Sequence, residues 1–129
     1  MTNGRDKTML DFYEKINEEC GVRLPLLSEQ DWEWCAGVPE HTSDYIEFYN
    51  KHSDEMDIWQ KYLAVNLIVQ GIEDLLEQNE DNAVIDALWA DAKDILLRDN
   101  HRHTIFAWSC VDDEPEDCWN ITPRMRELL

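Results

Sequence analysis

Basic residues are scarce in this chain. Eleven Lys and Arg stand against 29 Asp and Glu over 129 residues, a formal charge of −18 at pH 7. That imbalance argues against direct contact with nucleic acid or an anionic membrane, whose phosphates need cationic partners. Glycine is rarer still. Four glycines leave few places for bare backbone to cradle a phosphate, and no P-loop, G-x-G-x-x-G, H-E-x-x-H or EF-hand loop is present. Long apolar runs are missing too: the longest, Leu63 to Val69, is interrupted by Asn66 and falls far short of a bilayer span. The stretch Met1 to Lys7 is polar and has no signal-peptide core. These absences predict a cytoplasmic, non-membrane protein.

Cysteine is present but not clustered. Cys20, Cys35, Cys110 and Cys118 are spread out with no C-x-x-C pair, and without an export signal reduced thiols are expected. His101 and His103 form an H-x-H pair upstream of Cys110 and Cys118, a chemically possible zinc set. The C-x7-C spacing fits no zinc pattern, so the expectation is no metal and two exposed histidines at a helix C-terminus, where the dipole favours them. Cys110 with His103 as base lacks a glycine elbow and a third member. Carboxylates are too numerous for any acid–base pair to stand out. No enzyme activity and no cofactor are therefore expected.

What the chain does hold is the material of a core. Hydrophobic residues make up 43% of it, with six Trp, four Tyr and three Phe. A disordered acidic tail lacks that content, and the length suits one acidic helical domain over residues 1–129. The acids are not confined to one end: residues 1–64 hold 14 acids and 6 bases, residues 65–129 hold 15 and 5. Such a surface favours a monomer when free, a basic protein partner, and fast, salt-sensitive encounter with it.

Periodicity predicts an all-α bundle of five or six helices around a long central helix. Leu10, Tyr13, Ile16 and Cys20 mark a helix over about 8–20, closed by Gly21. The apolar connector Val22 to Leu27 holds Pro25, and Ser28 to Asp31 then opens a short helix carrying Trp32 and Trp34. Thr42-Ser43-Asp44 opens the next, with Tyr45, Phe48 and Tyr49 on one face. The central helix is expected over about 54–78, apolar all round between Leu63 and Ile72. Gly71 inside it costs roughly 1 kcal/mol relative to Ala, which a close helix crossing would explain. Val84, Ile85, Leu88, Trp89, Ala92, Ile95 and Leu96 fall within an arc of about 140° on a further helix, with Leu97 outside it. The segment 104–111 reads as a short strand or a buried irregular stretch. Thr122-Pro123 reads as an N-cap followed by a final helical turn.

Two acidic blocks are candidates for partner binding. One holds Glu73, Asp74, Glu77, Glu80 and Asp81; the other holds Asp112, Asp113, Glu114, Glu116 and Asp117, followed by Trp119. A charge run is ordinarily a solvated face. An aromatic rimmed by carboxylates is also a natural anchor for a basic partner, since Trp stacks on Arg and Asp pairs with it. In charge, size and class the chain resembles the small acidic inhibitors that bacteria and phages make against nucleases, immunity proteins foremost. That resemblance implies an inhibitor covering the cleft of a basic nuclease or toxin domain. The alternatives are a DNA mimic acting on a restriction or defence enzyme and a helical adaptor without inhibitory activity.

Overall fold

The computed structural model describes residues 4–21, 39–78, 81–114 and 118–129. The expected connector from Val22 and the short helix with Trp32 and Trp34 lie outside the described residues. Among the described residues six α-helices follow in order: α1 Gly4–Cys20, α2 Thr42–His52, α3 Ile58–Glu77, α4 Asn82–Arg98, α5 Arg102–Ser109 and α6 Thr122–Arg126. Single 3-10 turns, Pro39–His41 and Ser53–Glu55, flank α2. Among the described residues there is no strand, and the fold is an all-α bundle.

The central helix is shorter at its start than the sequence suggests. Ser53-Asp-Glu makes the 3-10 turn, Met56 is extended, and Asp57 caps α3. Its carboxylate accepts from the Gln60 amide at 2.9 Å, while the Gln60 side chain accepts from the Asp57 N–H at 3.0 Å. This reciprocal box satisfies two of the orphan donors of the first turn, a stronger start signal than an acidic tripeptide. Beyond it, Val65, Leu67, Ile68, Val69 and Ile72 are all sealed from solvent. Burying such side chains contributes roughly 1.5–3 kcal/mol each. They meet Tyr45, Ile46, Phe48 and Tyr49 of α2 on one side and Ile85, Ala92, Ile95 and Leu96 of α4 on another. From α1, Phe12 and Ile16 join behind α2, with the Phe12 ring edge-on to Phe48 at 5.8 Å.

Several sequence expectations hold at the level of single residues. Gly21 ends α1 with φ +69°, the left-handed conformation that glycine reaches without penalty. Leu97 is half exposed, and Asp94 pairs with Arg98 at 3.1 Å. Val84, placed on the buried arc of α4, is 53% exposed, although the adjacent Ile85 is buried.

The segment 104–111 is corrected: it is helical through Ser109 as α5. Thr104, Ile105, Trp108 and Ser109 are its buried positions, a helical spacing that eight apolar-rich residues do not reveal against a strand. Asn100 and Cys110 bracket α5 with positive φ, 57° and 53°. His101 and His103 therefore sit at the start of α5, not on an exposed C-terminal turn. Thr122 is corrected as well. Ile121 occupies the N-cap of α6, and the Thr122 hydroxyl instead donates to the Trp108 carbonyl at 2.9 Å.

Gly71 marks a close approach between α3 and the start of α2. A Cβ there would run into the side chain of Thr42, which is itself buried at the start of α2. Helix propensity alone makes Gly→Ala stabilising by about 1 kcal/mol in a helix interior. Overpacking reverses the sign. Gly71→Ala is expected to lower unfolding free energy by about 1–3 kcal/mol in urea titration. Combining it with Thr42→Ala should recover part of that loss, a favourable coupling in the double-mutant cycle.

Candidate functional site

Glu73 does not join the acidic surface. It is 5% exposed, and three donors converge on it. One oxygen accepts from the Asn120 backbone at 3.0 Å and the Asn120 amide at 3.3 Å; the other accepts from the Ile121 N–H at 3.0 Å. The carboxylate thus fastens the segment before α6 to the C-terminal part of α3. Asp74, half-buried, accepts from Gln70 at 2.9 Å. Burial pushes both carboxyls above the usual range, and the neighbouring Glu77 adds to each shift. Glu77 is exposed. Asp81 is exposed too, and caps α4 through a bond from the Ala83 N–H at 2.7 Å. Glu80 lies outside the described residues.

The second block is held from beneath. Asp112, Asp113 and Glu114 are exposed; Glu116 and Asp117 lie outside the described residues. Cys110 and Cys118 are joined as a disulfide across this loop, which corrects the expectation of reduced thiols. The left-handed turn at Cys110 brings the two Cα atoms to 6.1 Å, inside the range a disulfide needs. Arg126 supports the same loop, donating to the carbonyls of Ser109 and Cys110 at 2.7 Å and of Asp113 at 3.2 Å. The Ser109 and Cys110 carbonyls lie at the end of α5, where a cation is favoured, and the Cys110 carbonyl also accepts from the Asp113 N–H at 3.2 Å. Cys20, by contrast, is a free buried thiol pushed up to about 12 by burial and the nearby Asp44, and is inert as a nucleophile. Cys35 lies outside the described residues.

Trp119 follows directly on the disulfide Cys118. It is 38% exposed and leans on the buried Trp108 ring with centroids 4.7 Å apart. The Trp108 indole in turn donates to Asn66 of α3 at 3.1 Å. Trp119 therefore rests on a hydrogen-bonded ring, beside the disulfide that closes the acidic loop. Glu73 connects the two blocks: it belongs to the first and binds the residues that follow the second.

Two further features arise only from tertiary contact. Glu19 of α1 comes beside Asp44 and Glu47 of α2 around a hollow of about 250 Å³ that also holds Phe48 and Lys51. A larger groove of about 430 Å³ runs between the start of α3 and the start of α5. Ile58, Trp59 and Tyr62 supply its apolar wall; Lys61, Arg102, His101 and His103 supply cationic and imidazole groups. Ile58 is 78% exposed and Trp59 53%. The sequence obscured this groove because Ile58 and Trp59 were read as interior positions of a helix beginning earlier.

Behind the groove the Tyr49 hydroxyl bonds Asp99 at 2.6 Å and the His101 Nε2 at 2.8 Å. With one proton, the hydroxyl donates to the carboxylate and accepts from His101, which fixes the Nε2–H tautomer. Burial lowers the His101 pKa and, with Asp99, raises that of Tyr49. Both stay neutral at physiological pH, so this is a locked structural network. Among the described residues, no three His, Cys, Asp or Glu side chains gather as a metal set. No helix of the described residues is long and apolar enough to cross a membrane. Compared with protein-family models, curated proteins and solved structures, the chain matches none.

The Glu73 contact has a definite pH signature. Its folded-state pKa is raised, so the folded protein holds this proton where the unfolded chain has lost it. Its contribution to stability then falls as pH rises from the ordinary carboxylate range through the raised value, and is level above. Glu73→Gln leaves a backbone N–H facing an amide N–H and is expected to cost about 1–3 kcal/mol. In urea titrations from about pH 4 to about pH 8, the gap between wild type and Glu73→Gln should be widest at the acid end.

Proposed function

We propose that the protein is an acidic binding protein that captures a basic protein partner, as an immunity-type inhibitor of a nuclease or toxin domain. The observation that carries this reading is the display of a −18 charge on a packed helical body. A rigid scaffold loses little conformational entropy on binding, so its contacts convert efficiently into affinity. The Asp112-to-Glu114 loop is fastened by a disulfide and by Arg126, and Trp119 stands beside it on the Trp108 ring. A half-exposed aromatic next to carboxylates suits an Arg-rich cleft: the ring stacks on a guanidinium while the acids pair with it. Glu77 and Asp81 extend the negative field, while Glu73 serves by positioning. Long-range attraction sets the on-rate, and the desolvated anchor sets the off-rate.

The test is co-purification with a cationic nuclease or toxin domain encoded beside this chain, followed by kinetics. Binding is expected to weaken at least about tenfold between low salt and about 0.5 M salt, chiefly in the on-rate. Trp119→Ala should act on the off-rate. Reversing Asp112, Asp113 and Glu114 to Lys should slow association. Absence of salt-sensitive binding to any such domain overturns the reading, and binding competed by generic duplex DNA at the same surface replaces it with a DNA mimic.

A further inference from the structure

The groove between the starts of α3 and α5 runs against the character of the whole molecule. Eleven bases serve 129 residues, yet Lys61 and Arg102 both line this one hollow, together with His103. Among the described residues neither Lys61 nor Arg102 forms an ion pair; Arg102 donates to Asn100 at 3.0 Å. The groove's single acid is Asp99, and it is engaged elsewhere. One of its oxygens accepts a hydrogen bond from the Tyr49 hydroxyl, and the other lies 3.7 Å from Arg98. The α3 wall, which carries Lys61, is otherwise apolar and aromatic. Trp59 sits edge-on to Tyr62 at 6.4 Å, and Tyr62 reaches the His103 ring at 5.9 Å.

From this arrangement we infer that the groove binds a small organic anion with an apolar or aromatic body, its carboxylate or phosphate held by Lys61 and Arg102 and its body laid on Trp59 and Tyr62. The volume of about 430 Å³ falls within the roughly 300–1,000 Å³ of small-ligand sites. Size and charge exclude a large acidic partner. A macromolecule would set its remaining charges against the carboxylates that cover the rest of the surface, whereas a compact anion reaches the two cations alone. Arg offers a fork suited to the flat face of a carboxylate or phosphate, and Lys adds a mobile point charge. This site is separate from the acidic surface and stands or falls independently of the inhibitor reading.

The test uses the intact chain and two probes of the same shape, naphthaleneacetate and naphthylethylamine, titrated while amide and indole N–H resonances are followed by NMR. A chain of charge −18 attracts the amine everywhere, so preference for the acid is a demanding outcome. Naphthaleneacetate is expected to bind at least about tenfold more tightly, shifting the Trp59 indole N–H and the amides of residues 101–104. Lys61→Gln with Arg102→Gln should abolish that preference; Arg102→Gln alone, at an exposed position, gives the same reading if the pair does not fold. Equal or tighter binding of the amine, shifts confined to another face, or a preference that survives these substitutions would overturn the inference.

Discussion

A buried carboxylate organises the end of the bundle. Glu73 accepts three hydrogen bonds from Asn120 and Ile121, and through them holds the start of α6 against α3. The rest of the C-terminal third follows from that contact. With Asn120 fixed, Trp119 lies on Trp108, Thr122 reaches the Trp108 carbonyl, and Arg126 comes under the end of α5. A lone buried anion is costly, and three donors reduce that cost without removing it, which is why the carboxyl titrates high. Loss of the contact would free two backbone donors together with the seat of the proposed anchor.

The same carboxylate shows why a dense acidic stretch is not all of one kind. Glu73, Asp74, Glu77 and Asp81 are neighbours in sequence, yet one is a tertiary clasp, one is shared with Gln70, one is open to water and one caps a helix. Acids spent on caps and clasps contribute to the fold, and only the remainder is available to a partner. The excess of carboxylates works against compaction. A core running from Phe12 to Met125 with buried aromatics at Tyr45, Tyr49 and Trp108 offsets that repulsion.

Local pattern was legible where one helix carries its own evidence. The aromatic face of α2, the stop at Gly21, the close crossing at Gly71 and the span of α4 are all written in spacing and residue type. The long helix was legible too, but its first turn was not, because the Asp57–Gln60 box competes with an equally acidic Ser53-Asp-Glu that closes a 3-10 turn. The helix α5 was hidden for a different reason. Eight residues span barely two turns, and its strongest constraints, Asn66 to Trp108 and Arg126 to the Ser109 carbonyl, join residues many positions apart. The inward turn of Glu73 and the Cys110–Cys118 pairing are likewise products of tertiary approach. Trp119, which follows the second acidic block in sequence, is 38% exposed.

Charge of the two signs acts over different distances here. The carboxylates on α2, α4 and the disulfide loop sum into a field felt well away from the surface, suited to drawing in a basic partner. At physiological ionic strength that field decays over about 8 Å. A groove walled by Trp59, Tyr62 and Ile58 is also lined by Lys61 and Arg102, so the small anion proposed for it would meet these cations within the screening length. The low-dielectric aromatic wall strengthens those near interactions relative to the distant ones. A strongly acidic protein can therefore present a cationic contact locally. The requirement is that the contact be recessed, that its own acid be engaged elsewhere as Asp99 is by Tyr49 and Arg98, and that the ligand be small enough to stay within it.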